Sequence, residues 1–334
     1  MASLPASPLK TAADFAKRYQ HYVLGQISTG SYAHAHFSLP KSIADQTLAV
    51  FDSHKIEHNE ACRRLRASLQ AIKICKGKTN GSADNMDLEI TVLSHTAKKG
   101  HPNLVGIRDA DAASTGKSWY TLELLTGDTF EKYCDLLYNL RLSLDRSPES
   151  FSPVSFGWHL VLQVTQGLLA LHFGDKNGKE CRSWPMYTHG DTHPKNLLFR
   201  GGTGQYKDYP DAVLIDFGRT QKLGSHTDRA AFFRAQHADV KLAIHFIVKT
   251  QWARDLDLRT ICSEIWELDI QEGVDNNRIL KSWMKDLRLR AFRERERLYI
   301  ALHPDVIEHF QQEMISENEL WEQTISYRSL CAEW

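Results

Sequence analysis

The chain has 334 residues and a mass of 38.2 kDa, with 42% hydrophobic and 25% charged residues. This is ordinary globular composition, enough for one large or two modest domains, and it excludes collagen-like and low-complexity architectures. Forty-one Lys plus Arg balance 41 Asp plus Glu, so no net field draws the chain to nucleic acid or to an anionic membrane surface.

Short β-type runs come first: YVLGQI (22–27), SYAHAHFSL (31–39), LQAIKIC (69–75), LVGIRDA (104–110) and SWYTLELL (118–125). A polar stretch at 41–68 and one amphipathic helix at 84–96 interrupt them, so residues 1–125 read as a sheet-rich domain with one main helix. From Thr126 the periodicity turns helical, through 130–144, 158–173, 240–253, 263–268 and a long charged helix at 281–300, and 126–334 read as a helical domain. Within it, NLLF and AVLIDF flank a Gly- and Pro-containing loop at 200–211 and predict a small hairpin. No internal repeat is present.

The six cysteines form no C-x-x-C pair, which disfavours a disulfide framework or a zinc ribbon and suits a reducing compartment. The N-terminal stretch lacks an apolar targeting core, and no segment reads as a membrane span; a cytoplasmic protein with no membrane or nucleic-acid partner is expected. His54, His58 and Cys62 stand four residues apart, which on one helix would align possible metal ligands. A solvated helix with incidental histidines is the preferred reading, because no matching further ligands follow. In the 281–300 helix, Glu294 and Glu296 interleave with arginines and predict a solvated face laced with ion pairs.

The chemistry concentrates in His189-Gly190-Asp191-Thr192-His193-Pro194-Lys195-Asn196, followed after the hairpin by Asp216-Phe217-Gly218. Mg²⁺ favours one or two carboxylates together with substrate oxygens. Asn196 and Asp216 suit a metal that bridges to a nucleotide, and Asp191 suits the orientation of an acceptor hydroxyl.

These motifs resemble the catalytic loop and metal-binding DFG segment of the protein kinase-like phosphotransferases. Further strings, from about residue 22 to 250, match in the same order. AIKICKG resembles the strand carrying the phosphate-binding lysine, here Lys73, and DLEITVLSH the helix carrying its partner, here Glu89. WYTLELLTGDTF resembles the last strand and hinge, with Leu122 as gatekeeper, Glu123 to Leu125 lining the adenine pocket and Asp128 near the ribose. ISTGSYAHA stands for the glycine-rich loop, with Ser28, Gly30 and Ala33 at its three usual glycine positions, and Asp239 for the buried aspartate that braces the catalytic loop. The resemblance implies an α+β, bilobal fold, with a small antiparallel-sheet lobe and a larger helical lobe, and it implies ATP and Mg²⁺ as cofactors.

The pattern departs from the family at several points. Only Gly30 remains in the glycine loop, which implies modest nucleotide affinity. Gly190 replaces the arginine that commonly precedes the catalytic aspartate, which implies activity independent of activation-loop phosphorylation. His193 stands where protein kinases mostly place a lysine, and HGDTHP is similar to the loop of aminoglycoside and choline kinases. The interval from Asp216 to Asp239 is short and holds no APE string. Three functions follow: a kinase acting on protein Ser/Thr, with Asp191, Lys73, Glu89 and His193 as catalytic groups; a small-molecule kinase whose alcohol acceptor meets an acidic stretch from Asp255 to Glu272; or a pseudokinase that binds nucleotide without turnover.

Overall fold

The computed structural model describes residues 20–30, 33–76, 82–97, 100–112, 118–144, 151–176, 179–181, 183–202, 204–225, 227–252, 255–268, 276–311 and 314–332. In chain order its elements are β1 (His21–Thr29), β2 (Ala33–Pro40), α1 (Lys41–Asp52), α2 (His58–Ala67), β3 (Gln70–Cys75), α3 (Ser82–Ala97), β4 (Ile107–Ala110), β5 (Trp119–Glu123), α4 (Phe130–Leu144) and α5 (Val154–Phe173). They continue with β6 (Asp175–Lys176), β7 (Lys179–Glu180), β8 (Leu197–Arg200), β9 (Asp211–Leu214), α6 (Arg229–Gln251), α7 (Leu256–Glu267), α8 (Asn276–Leu298), α9 (Pro304–Gln311) and α10 (Glu317–Ala332). The fold is α+β, and it divides into two compact units. One comprises Met1–Ile90, Ile107–Leu124 and Glu313–Trp334; the other comprises Thr91–Gly106 and Leu125–Gln312.

The first unit is built on an antiparallel sheet in the order β1-β2-β3-β5-β4. Tyr22, Leu39, Ile72 and Trp119 alternate onto its buried face and pack against Leu65, Ile315, Leu320 and Tyr327. The polar 41–68 stretch forms two helices, and the C-terminal helix completes the same core. Tyr22 and Tyr327 rings stand 5.1 Å apart and Phe51 and Trp321 rings 4.8 Å apart. Gln323 Oε1 accepts from the Gly25 N–H at 2.7 Å, and Arg328 pairs with Asp52 at 2.8 Å. The division at Leu124/Leu125 falls one residue from the expected 125/126, but α10 belongs with the sheet, because its apolar residues cover β1 and α2. Helices α1 and α2 correct the expectation of a single main helix in this half.

His54 lies in the turn after α1, with φ 54°, and so shares no helix with His58 and Cys62. Cys62 is buried with Sγ 3.6 Å from His58 Nε2, and burial pushes its thiol up, with the Glu317 charge adding to the effect. Among the described residues no group of three or more His, Cys, Asp or Glu side chains is arranged to hold a metal ion.

The second unit is organised around α5. This helix is long and apolar enough to cross a membrane by length and composition, contrary to the expectation that no segment would be, and 89% of the qualifying window is buried. It ends at Gly174 in the left-handed conformation (φ 64°), where a Cβ would lie 2.4 Å from Trp184 Cγ. Leu280, Met284, Leu287 and Ala291 form the buried stripe of α8, which packs on α5. Its opposite face carries the anticipated ion pairs, such as Arg297–Glu294 at 2.6 Å, but Arg295 is buried with its guanidinium 3.9 Å from the Tyr206 ring centroid. Burial, assisted by the Arg295 charge, lowers the buried His159 of α5 to about 3, so this imidazole is neutral.

Candidate active site

The loop before β8 is shaped by a single buried carboxylate. Asp239 lies mid-way along α6, not at its N-terminus, where Asp228 caps the helix by accepting from Ala230 and Ala231 N–H. Asp239 accepts from the backbone N–H of His189 (2.6 Å), the N–H of Gly190 (2.8 Å) and the Thr192 hydroxyl (3.2 Å), while His172 Nε2 stands 3.1 Å away. Burial would raise its carboxyl, but the His172 hydrogen bond and charge, with His189, outweigh it and hold the group below the usual carboxylate range. Three donors from one loop on one fixed acceptor leave the loop little conformational freedom.

Gly190 has a structural reason to be glycine. Its φ is +75°, and a Cβ there would meet the Arg219 carbonyl oxygen at 2.4 Å, so the arginine expected at this position by family likeness has no room. His189 is fully buried, packs tilted against Phe217 with ring centroids 5.0 Å apart and donates from Nε2 to the Ile215 carbonyl at 3.0 Å. Burial lowers it despite three nearby aspartates, so it serves as a neutral hydrogen-bonding strut.

The β8–β9 hairpin, registered from Leu197↔Leu214 to Arg200↔Asp211, brings Asn196 and Asp216 to the same end. The Ile215 N–H donates to Asn196 O at 3.0 Å, which extends the ladder to the residue before Asp216. Asp216 is left-handed (φ 60°), an unusual conformation for a non-glycine residue, and its Oδ1 accepts from the Gly218 N–H at 3.4 Å. The Asn196 amide nitrogen donates to Asp191 O at 2.9 Å, which leaves its Oδ1 as the atom suited to a cation. Together with the Asp216 carboxylate this is the hard-oxygen donor set that Mg²⁺ accepts.

Asp191 is partly open, with a side chain 25% exposed. His193 Nδ1 accepts from the Lys195 N–H at 3.2 Å as the N-cap of the 3₁₀ turn Pro194–Asn196, which directs the Nε2–H tautomer toward Asp191 Oδ2 at 3.6 Å. Arg219 Nη1 lies 3.4 Å from Asp191 Oδ1. Sequence reasoning missed Arg219. Its position directly after Asp216-Phe217-Gly218 was the available signal, but only the fold shows that it reaches Asp191.

In the first unit, Lys73 on β3 and Glu89 on α3 form a close pair, with Nζ 3.0 Å from both carboxylate oxygens and side chains 19% and 4% exposed. Lys73 is thus not a solvated surface lysine. Ser28, near the end of β1, and Gly30 beyond it are exposed, whereas Ala33 is buried in β2 opposite Cys75. The Gly30 N–H donates to Ala33 O at 3.0 Å, its φ lies outside the left-handed range, and a Cβ would sit 3.6 Å from Ala33 O. The conformational freedom of glycine is therefore unused there. Leu122 and Glu123 are half-buried in β5, opposite Ala71 and Gln70. In the second unit, Leu125 is buried and the Asp128 carboxylate is engaged by Lys132 at 2.7 Å and His309 at 3.5 Å. Of the acidic stretch after α6, Asp257 and Glu264 both face Arg290 at 3.9 and 3.1 Å, while Asp269 and Glu272 fall outside the described residues.

No protein-family model matches the chain, and no curated protein matches it at a significant level.

Proposed function

We propose that the chain is an ATP- and Mg²⁺-dependent phosphotransferase whose two units correspond to the small and large lobes of a protein kinase-like fold. The observation that carries this reading is the loop from His189 to Asn196, pinned by Asp239 and joined through the hairpin to Asp216. Such a loop supplies a partly open carboxylate for the acceptor and two oxygen ligands for a metal, on backbone held by buried hydrogen bonds. The close Lys73–Glu89 pair supplies a fixed ammonium for phosphate oxygens. Bound Mg²⁺ would neutralise charge on the transferring phosphate. In the transfer, the acceptor O–H bond breaks and its proton passes to Asp191, the oxygen bonds to the γ-phosphorus, and the bond from that phosphorus to the bridging oxygen breaks to release ADP.

A small alcohol acceptor is favoured over protein Ser/Thr by segment 217–225, which reverses the order expected from the sequence. Thr188 N–H donates to Gln221 O at 3.0 Å, Leu223 N–H to Met186 O at 3.0 Å, and Tyr187 bridges Lys222, so the segment is short and tethered. The same tethering, with Gly190 in place of an arginine, supports activity without loop phosphorylation. Labelled ATP offered with generic protein substrates and with a panel of small alcohols tests the reading. Label should pass to small alcohols, and Asp191→Asn should slow transfer by about 10²–10⁴-fold at unchanged melting temperature. Equal turnover in both proteins would overturn the assignment of Asp191.

A further inference from the structure

We propose that a cleft along α8 in the second unit binds a small linear zwitterion of dipeptide size, with its ammonium at Trp283 and Asp286 and its carboxylate at Arg293. The cleft has a volume of about 360 Å³, inside the range of about 300–1,000 Å³ usual for small-molecule sites, and the buried Leu287 contributes an apolar lining. Part of its charge is already committed. Arg290 pairs with Glu264 of α7 at 3.1 Å and with Asp257 at 3.9 Å, and Glu294 pairs with Arg297 at 2.6 Å. Among the described residues, neither the Asp286 carboxylate nor the Arg293 guanidinium makes an ion pair or hydrogen bond, and no ring or cation packs on the half-buried Trp283. One carboxylate, one guanidinium and one indole face are therefore left to a ligand. None of them belongs to the residues assigned to phosphate transfer.

Their order along the helix sets how that ligand would lie. Trp283 and Asp286 stand three residues apart, as neighbours on the helix surface, so an ammonium between them gains both a carboxylate and an aromatic face. Asp286 and Arg293 are seven residues apart, on the same side of α8, with Cα atoms separated by about 10.5 Å along the axis. An extended two-residue peptide spans about 7 Å, so the gap that the two side chains leave suits the separated termini of a dipeptide better than the adjacent charges of a single amino acid. The rest of the lining selects against simple ions. An anion would meet Arg293 but also the carboxylates of Glu264, Asp286 and Glu294, and a cation would meet two guanidiniums. A molecule with one charge of each sign satisfies the cleft.

Calorimetric titration of the full chain with alanyl-alanine, its N-acetyl derivative and its amide tests this. Alanyl-alanine should bind with a Kd of about 1 mM or below, and each blocked form at least about tenfold more weakly. Arg293→Gln should weaken alanyl-alanine by the same factor as amidation and leave binding of the amide unchanged. Asp286→Asn should match acetylation in the same way, because each variant and its blocked ligand remove one shared contact. Both side chains are exposed, so the variants should melt with the unaltered chain. No binding of alanyl-alanine at about 10 mM, equal binding of either blocked form, or an affinity indifferent to Arg293→Gln or Asp286→Asn overturns the proposal.

Discussion

The Asp191 loop and the Gly30 hairpin tip are both candidate phosphate-handling segments, yet they are held in opposite ways. The loop hangs three donors on the buried Asp239, uses a left-handed glycine under a carbonyl, and runs into a registered hairpin. The tip is exposed, its glycine is conformationally ordinary, and one turn hydrogen bond joins Gly30 to Ala33. Positional restraint is thus concentrated in the Asp191 loop, while the tip proposed for nucleotide binding is held by the turn hydrogen bond and by Lys76 Nζ donating to Gly30 O at 2.5 Å.

The largest way to break this contrast is Asp239→Ala. It strands the buried His189 amide, the part-buried Gly190 amide and the Thr192 hydroxyl, and removes the partner of His172, so a loss of about 3–5 kcal/mol in urea unfolding is expected, together with loss of transfer. A loss below about 1 kcal/mol would mean that the loop holds itself. Next comes Gly190→Ala, which forces a left-handed alanine, costing about 1–2 kcal/mol before the collision with Arg219 O is counted. Thermal unfolding of this variant should show the cost, and a neutral result would contradict the φ of +75°.

Acid should weaken the second unit in a defined window. His159 titrates near 3 in the fold and His189 is also lowered, so below about pH 6.5 the unfolded chain binds protons that the folded chain refuses. Stability therefore falls as pH drops from 6.5, by about 1.4 kcal/mol per unit for His159 until its folded value is reached. Urea midpoints between pH 7.5 and 5.5 measure this, and His159→Gln should flatten the slope. The smallest effect is expected at the other pole of the comparison. Gly30→Ala should be neutral or stabilising by about 0.4–1 kcal/mol, since its Cβ meets only ordinary contact distance.

Local features of the fold were legible because they are written in short strings. LQAIKIC marks β3, SWYTLELL marks β5, and NLLF with AVLIDF marks the hairpin, each by period or turn chemistry. LVGIRDA yields only Ile107–Ala110 as a strand, because Leu104 makes a single bridge to Leu214 instead. The partnership of α1, α2 and α10 was not legible. An apolar stripe says that a helix buries a face, but it does not name the surface that receives it, and Trp321 finds Phe51 across most of the chain. Lys73 and Glu89 could be paired from motif order, whereas Arg219 could not be linked to Asp191, because their approach depends on how Gly190 turns.

The most direct test of the account is calorimetric titration of ATP into the protein with and without Mg²⁺, repeated with Asp216→Asn. Mg²⁺ should tighten binding in the unaltered chain, and the variant should lose this dependence. Absence of ATP binding, or the same Mg²⁺ dependence in both proteins, would contradict it.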